Sequence, residues 1–256
     1  MMIGAIAGDI IGSRFEVIPT KSRDFELFSA LSRFTDDTVM TVAVADSILT
    51  GNSYKSNFLL YGKKYPDAGY GGNFIKWLFG DITGPYNSYG NGSAMRVSPV
   101  GFAFKSREKV LDEAKATAEI THDHPEGIKG AQAVALAVYL ADAQYNKKQI
   151  KEEIEKEFGY DLGRTIEEIR PHYSFEVSCQ RSVPESIIAF LESDDFVSAI
   201  RNAVSLGGDS DTMACMAGAI AQAYYKIIPG EIVKHVYQRI PEEFKKIIIL
   251  FEEKFL

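Results

Sequence analysis

Two short stretches concentrate oxygen donors. "FTDDT" at 34–38 carries Thr35, Asp36 and Asp37, and "GGDSDT" at 207–212 carries Asp209, Asp211 and Thr212. Each stands just before a run of small apolar residues that predicts a helix. Capping explains part of the pattern, because Asp and Thr accept hydrogen bonds from orphan N–H groups and complement a positive helix end. It explains the whole set poorly. One or two oxygens satisfy a helix start, and further adjacent carboxylates repel each other. Four carboxylates and two hydroxyls suit a bound cation, provided the two mouths meet in the folded chain. All-oxygen donors select hard ions such as Mg²⁺, Mn²⁺ or Ca²⁺ over zinc. This many carboxylates could share two ions through a bridging aspartate. "GDIIGSRFE" at 8–16 adds Asp9 and Glu16, either as surface or capping charges or as further acidic groups.

Helical periodicity dominates the segments that must position these residues. "TDDTVMTVAVADSILTG" has Thr and Asp at its start, apolar residues on nearly every side and a stop at Gly51, as a helix packed all round would. "EGIKGAQAVALAVYLADAQ" and "DTMACMAGAIAQAYYK" read the same way. Amphipathic helices are expected near 107–120, 147–158, 184–192, 194–206 and 230–239. In the tail, Phe244, Ile247, Ile248, Phe251 and Phe255 form one stripe that predicts packing against the body. Only "RVSPVGFAF" reads as extended. The stretches 65–74 and 80–101 read as long ordered glycine-rich loops, which in a compact domain are usually functional. The expectation is an all-α fold: a compact single-domain orthogonal multi-helix bundle over residues 1–256.

The 256 residues carry a net charge of −7 without a dense basic run, which weighs against a nucleic-acid partner. Cys179 and Cys215 have no neighbours to complete a metal knuckle and fit buried thiols in a reducing compartment, with a single disulfide as the alternative. The N-terminus lacks a basic segment ahead of its apolar residues, and no apolar run spans a bilayer. A cytoplasmic protein without a membrane partner is expected.

Five ordered blocks, "GAIAGDIIGSRFE", "FTDDTVM", "GNGSAMR", "THDHPEGIKGA" and "LGGDSDTMACMAGAIAQAYY", resemble the ADP-ribosylglycohydrolase family, also called the dinitrogenase-reductase-activating glycohydrolase family, from about residue 3 to about 230. The resemblance implies an all-helical fold with two Mg²⁺ (or Mn²⁺) ions at the bottom of a central ADP-ribose cleft. Carried over residue by residue, it implies metal ligation by Thr35, Asp36, Asp37, Asp209, Asp211 and Thr212, with Asp211 bridging. Glu16 matches the family's mobile glutamate near the scissile bond.

On the substrate side, the "GNGSAMR" block (Asn91, Gly92, Ser93, Met95) matches the loop that cradles the diphosphate. Glycines there let backbone N–H groups approach an anion. Gly71 is expected near the distal ribose, and His122 at the cleft; His124 is expected to be structural. Tyr70, Phe74, Tyr86 and Tyr89 are candidates to stack on adenine, and Arg96 to neutralise a buried carboxylate near the metals. The implied reaction is hydrolysis at C1″ of the distal ribose, through oxocarbenium-like charge, with Glu16 or Asp36 as acid or base. The substrate would be ADP-ribosylated protein, linked through arginine or serine, or a small ADP-ribose conjugate. Asp67 is a candidate acidic rim for a guanidinium. Competing readings are a metal-loaded ADP-ribose reader without turnover, a structural protein of the same fold, and another metal-dependent phosphate or nucleoside hydrolase.

Overall fold

In the computed structural model, which describes residues 2–255, fifteen helices follow one another: α1 (Ile3–Val17), α2 (Asp36–Thr50), α3 (Tyr54–Lys64), α4 (Gly72–Phe79), α5 (Gly92–Met95), α6 (Ser98–Ala103), α7 (Arg107–Ala118), α8 (Pro125–Asp142), α9 (Lys147–Phe158), α10 (Ile166–Ile169), α11 (Cys179–Leu191), α12 (Phe196–Ser205), α13 (Ser210–Tyr225), α14 (Gly230–Tyr237) and α15 (Glu242–Phe255). Among the described residues there is no strand; the one isolated bridge joins Gly90 to Ser178. The architecture is all-α, as the periodicity predicts. Among the described residues no helix is long and apolar enough to cross a membrane.

The centre is α13, buried from Ser210 to Ala223. Against it lies α1, which the sequence reading left unassigned. Gly4, Gly8 and Gly12 recur every fourth residue on α1 and so share one face. A Cβ on Gly8 would stand 2.0 Å from the Ala214 carbonyl oxygen, and one on Gly12 2.4 Å from that of Ser210. Gly218 answers from α13, where a Cβ would stand 2.4 Å from the Gly4 oxygen. The two backbones therefore touch, and only residues without side chains fit between them. The seam runs directly to the acidic start of α13.

Around this pair pack α2, α8, α11 and α12, and the α2 and α8 helices are buried on almost all sides. The α15 stripe buries Phe244, Ile248 and Phe251 against α2, with Phe244 5.7 Å from the Phe34 ring and 5.0 Å from Tyr65. Two expectations are corrected. "RVSPVGFAF" is helical, because Pro99 sits in the first turn of α6, where its missing N–H costs nothing. The helix expected at 184–192 begins at Cys179, and Pro184 lies inside it. The stretches read as loops also hold α4's start and α5; in α5 the order comes from packing on α8 and α13.

Candidate metal centre and cleft

The starts of α2 and α13 meet. Carboxylate oxygens of Asp9, Asp37 and Asp211 lie within 4.8 Å of one another, all buried. Which groups cap α2 decides what its aspartates are free to do. Asp36 N–H donates to the Ala68 carbonyl at 2.9 Å, and Asp37 N–H to Thr35 Oγ1 at 3.4 Å. Asp9, reaching over from α1, accepts from the N–H groups of Thr35 (2.9 Å) and Thr38 (3.1 Å). It also accepts from both threonine hydroxyls. The helix start is thus satisfied by Thr35, Asp9 and a loop carbonyl, and the Asp36 and Asp37 carboxylates cap nothing. At α13, Asp209 occupies the cap position without making a side-chain cap bond. Asp9 is a brace with its oxygens engaged; the sequence offered it only as a generic acidic group.

The remaining carboxylates face the cleft. Thr212 Oγ1 donates to Asp37 Oδ2 at 3.1 Å, whereas Asp37 Oδ1 is buried without a partner. Asn91 Nδ2 donates to Asp209 Oδ2 at 2.7 Å, and Thr212 N–H to Asp211 Oδ1 at 3.0 Å. Among the described residues none of these aspartates is ion-paired. Burial, then mutual repulsion, lifts Asp36, Asp37 and Asp211 well above the ordinary carboxylate range. Burial alone raises Asp209 against its hydrogen bonds, and takes Asp9 to about 6. Glu16 is exposed at the rim; desolvation and then Asp209 raise it, and Arg33 pulls it back. An unpartnered buried carboxylate oxygen amid uncompensated acids and hydroxyls is the donor set a hard divalent cation requires. The residues present fit such ions.

A cavity of about 410 Å³ opens from this end. Glu16, Thr35, Asp36, Asp37, Asp209, Asp211 and Thr212 line one side. Gly71, Asn91, Gly92, Met95 and His122 line the rest with Tyr70, Phe74 and Tyr86. Gly69, at φ +111°, lets the 65–71 loop turn beside Asp36: a Cβ there would lie 3.4 Å from Asp36 Oδ1.

Several expected members sit elsewhere. Ser93 is fully buried behind the wall, its hydroxyl donating to the Gly127 carbonyl at 2.7 Å. Tyr89 is exposed and lies edge-on to His124, away from the cavity. Asp67 points to solvent outside the cavity lining. Arg96 neutralises no carboxylate; its Nη2 donates to the Thr117 carbonyl and Thr121 Oγ1, and its guanidinium stacks 4.3 Å over Phe58. His124 caps α8 by accepting from Glu126 N–H, the structural role expected of it. Phe175, Val177 and Arg33 also line the cavity; Phe175 and Val177 arrive from a segment that no motif marks, and Arg33 directly precedes "FTDDT" but has no donor oxygen to single it out.

A sequence model described as ADP-ribosylglycohydrolase matches residues 1–254. The ADP-ribosylhydrolase ARH3 of Danio rerio is 30% identical, covering 88% of this chain and 82% of that protein. The Mus musculus ARH3 is 29% identical over 98% and 87%. The ADP-ribosyl-[dinitrogen reductase] glycohydrolase of Rhodospirillum rubrum is 25% identical over 84% and 77%. A solved structure titled "ADP-ribosylglycohydrolase-related protein complex" superposes with a TM-score of 0.75 at 22% identity, covering 100% of this chain and 98% of that one. It shares the fold.

Proposed function

The chain belongs to the ADP-ribosylglycohydrolase family, and on that premise we propose that it hydrolyses the glycosidic bond at C1″ of ADP-ribose conjugates, using two Mg²⁺ or Mn²⁺ ions. The observation that carries this reading is the meeting of two acidic helix starts at one end of a cavity, with Asp36 and Asp37 not used as caps and Asp37 Oδ1 buried and unpartnered. Thr35, Asp36, Asp37, Asp209, Asp211 and Thr212 would hold the ions. Divalent ions there supply positive charge that orients ribose hydroxyls and lowers the pKa of an attacking water.

The chain's own groups do the rest. Asp9 locks the α2 start, so the Asp36 and Asp37 carboxylates keep fixed positions. Asn91 orients Asp209 through its amide. Either Glu16 or Asp36, both with raised affinity for a proton, moves the proton between water and leaving group. Gly71, Gly92, Met95 and His122 form the wall against which the ADP-ribose would lie, with the Ser93 contribution restricted to its backbone. Tyr70, Phe74 and Tyr86 offer aromatic surface. With Asp67 outside the cavity, the mouth has no acidic rim beyond Glu16 for a guanidinium. Cys179 and Cys215 are free and buried, which suits a reducing cytoplasm.

The test is release of ADP-ribose from arginine- and serine-linked peptides and from a small conjugate. Release that EDTA abolishes and Mg²⁺ or Mn²⁺ restores is expected. Binding of ADP-ribose with no release from any linkage would make the protein a reader instead.

A further inference from the structure

Behind the glycine wall runs a buried polar chain that the reaction chemistry does not use. Arg96 Nη2 donates to Thr121 Oγ1 at 3.1 Å, and Thr121 Oγ1 lies 2.7 Å from His122 Nδ1. Guanidinium groups only donate, so Arg96 fills one acceptor site on the Thr121 oxygen. That hydroxyl has one proton to give. Its hydrogen-bond partners are Arg96 and His122, with the Tyr86 hydroxyl a further acceptor within its reach. With a proton on Nδ1, the Thr121 proton would have to turn away from its nearest neighbour to the Tyr86 hydroxyl, in a fully buried place. The 2.7 Å separation matches a hydroxyl donor better than an N–H donor, whose usual distance is about 2.9–3.0 Å, and so has Thr121 donating to Nδ1.

We propose that Arg96 and Thr121 are positioning residues that fix His122 as the Nε2–H tautomer, so that a hydrogen-bond donor faces the Gly90–Gly92 loop. Nε2 is on the correct side for this. A Cβ placed on Gly92 would stand 3.2 Å from it, one on Gly90 3.6 Å, and His122 lines the cavity. Burial and the Arg96 charge hold the imidazole neutral, well below its ordinary titration range. A neutral donor accepts nothing, so the wall selects ligand oxygens with free lone pairs, phosphoryl or hydroxyl, over ligand N–H groups. This last consequence rests on the ADP-ribose reading; the tautomer does not.

Two measurements on the whole protein separate the two. The side-chain ¹⁵N–¹H spectrum of the four histidines, with His122→Gln to assign the signal, is expected to show His122 unprotonated at Nδ1 and protonated at Nε2. Titration with free ADP-ribose is expected to weaken by about three- to tenfold in Thr121→Val, as for one hydrogen bond, and to stay within about twofold in Thr121→Ser, which keeps the hydroxyl. KM would rise in Thr121→Val with kcat held, and its His122 signals would show mixed tautomers. A protonated Nδ1 in the wild type overturns the proposal without any variant. So does a Thr121→Val protein with both tautomer and affinity unchanged. Nε2–H in a protein that binds no ADP-ribose would instead uphold the tautomer and sink the functional reading.

Discussion

The two ends of the cleft solve opposite problems. At the acidic end, helix capping is handed to Thr35, Asp9 and the Ala68 carbonyl, and the carboxylates are left buried without cations. At the glycine end, the one buried cation, Arg96, is spent on a carbonyl and a hydroxyl, and the wall presents neutral groups. One end is incomplete without positive charge; at the other the buried guanidinium already has a carbonyl and a hydroxyl as partners before any ligand arrives. Changes at the first should therefore act on metal affinity and turnover, and changes at the second on ligand affinity.

The largest effect expected is Asp37→Asn or Asp211→Asn, which should cost on the order of a thousandfold in kcat/KM, about 4 kcal/mol. Circular dichroism would keep its helical signature and calorimetry would show weakened Mg²⁺ binding. Retained turnover with full metal loading would erase the contrast between the ends. Next is the seam that brings the acidic mouths together. Gly8→Ala forces a Cβ to 2.0 Å from the Ala214 oxygen; backbone must move, at a cost of about 3 kcal/mol or more in urea unfolding.

A third test uses pH. The raised carboxylates bind protons in the folded state at pH values where the unfolded chain has released them, with Asp9 near 6 against roughly 4 unfolded. Between those values the folded state holds more protons, so stability without metal should rise as pH falls from 7 towards 4. Mg²⁺ at pH 7.5 should raise the Tm by mass action, and that gain should shrink at pH 5 as protons compete. A Tm without metal that falls on mild acidification would mean these groups are not repelling one another. At the neutral end the effects are smaller. Asn91→Ala should cost about tenfold, because Asp209 loses its amide partner, and Tyr89→Ala should leave KM and kcat unchanged.

The ligand-rich motifs were legible because their composition conflicts with a simple purpose. A helix start needs few acceptors, and "FTDDT" and "GGDSDT" offer more than that. The buried helices α2, α8 and α13 were legible from apolar runs with small residues. Helix α1 was missed because it has no acidic cap and its alternation of glycine with apolar residues carries no polar face. Tyr89 was misjudged for another reason: adjacency along "YGNGSAMR" does not say which side of the loop each side chain occupies. Arg96 was assigned to a carboxylate on charge alone, while the fold gave it a carbonyl, a hydroxyl and the Phe58 ring.

By itself the sequence determined the inventory: helices, the donor chemistry of the ions they could hold, and glycines at four-residue spacing. Such features are local, set by side-chain type and by the period of the helix. Only the tertiary structure decided that Asp9 braces the start of α2, that Asp37 keeps an oxygen free, and that Thr121 meets the imidazole of His122. These depend on which groups compete for the same few donors once distant segments are packed. Hydrogen-bond valence is finite, and its allocation is a property of the whole fold.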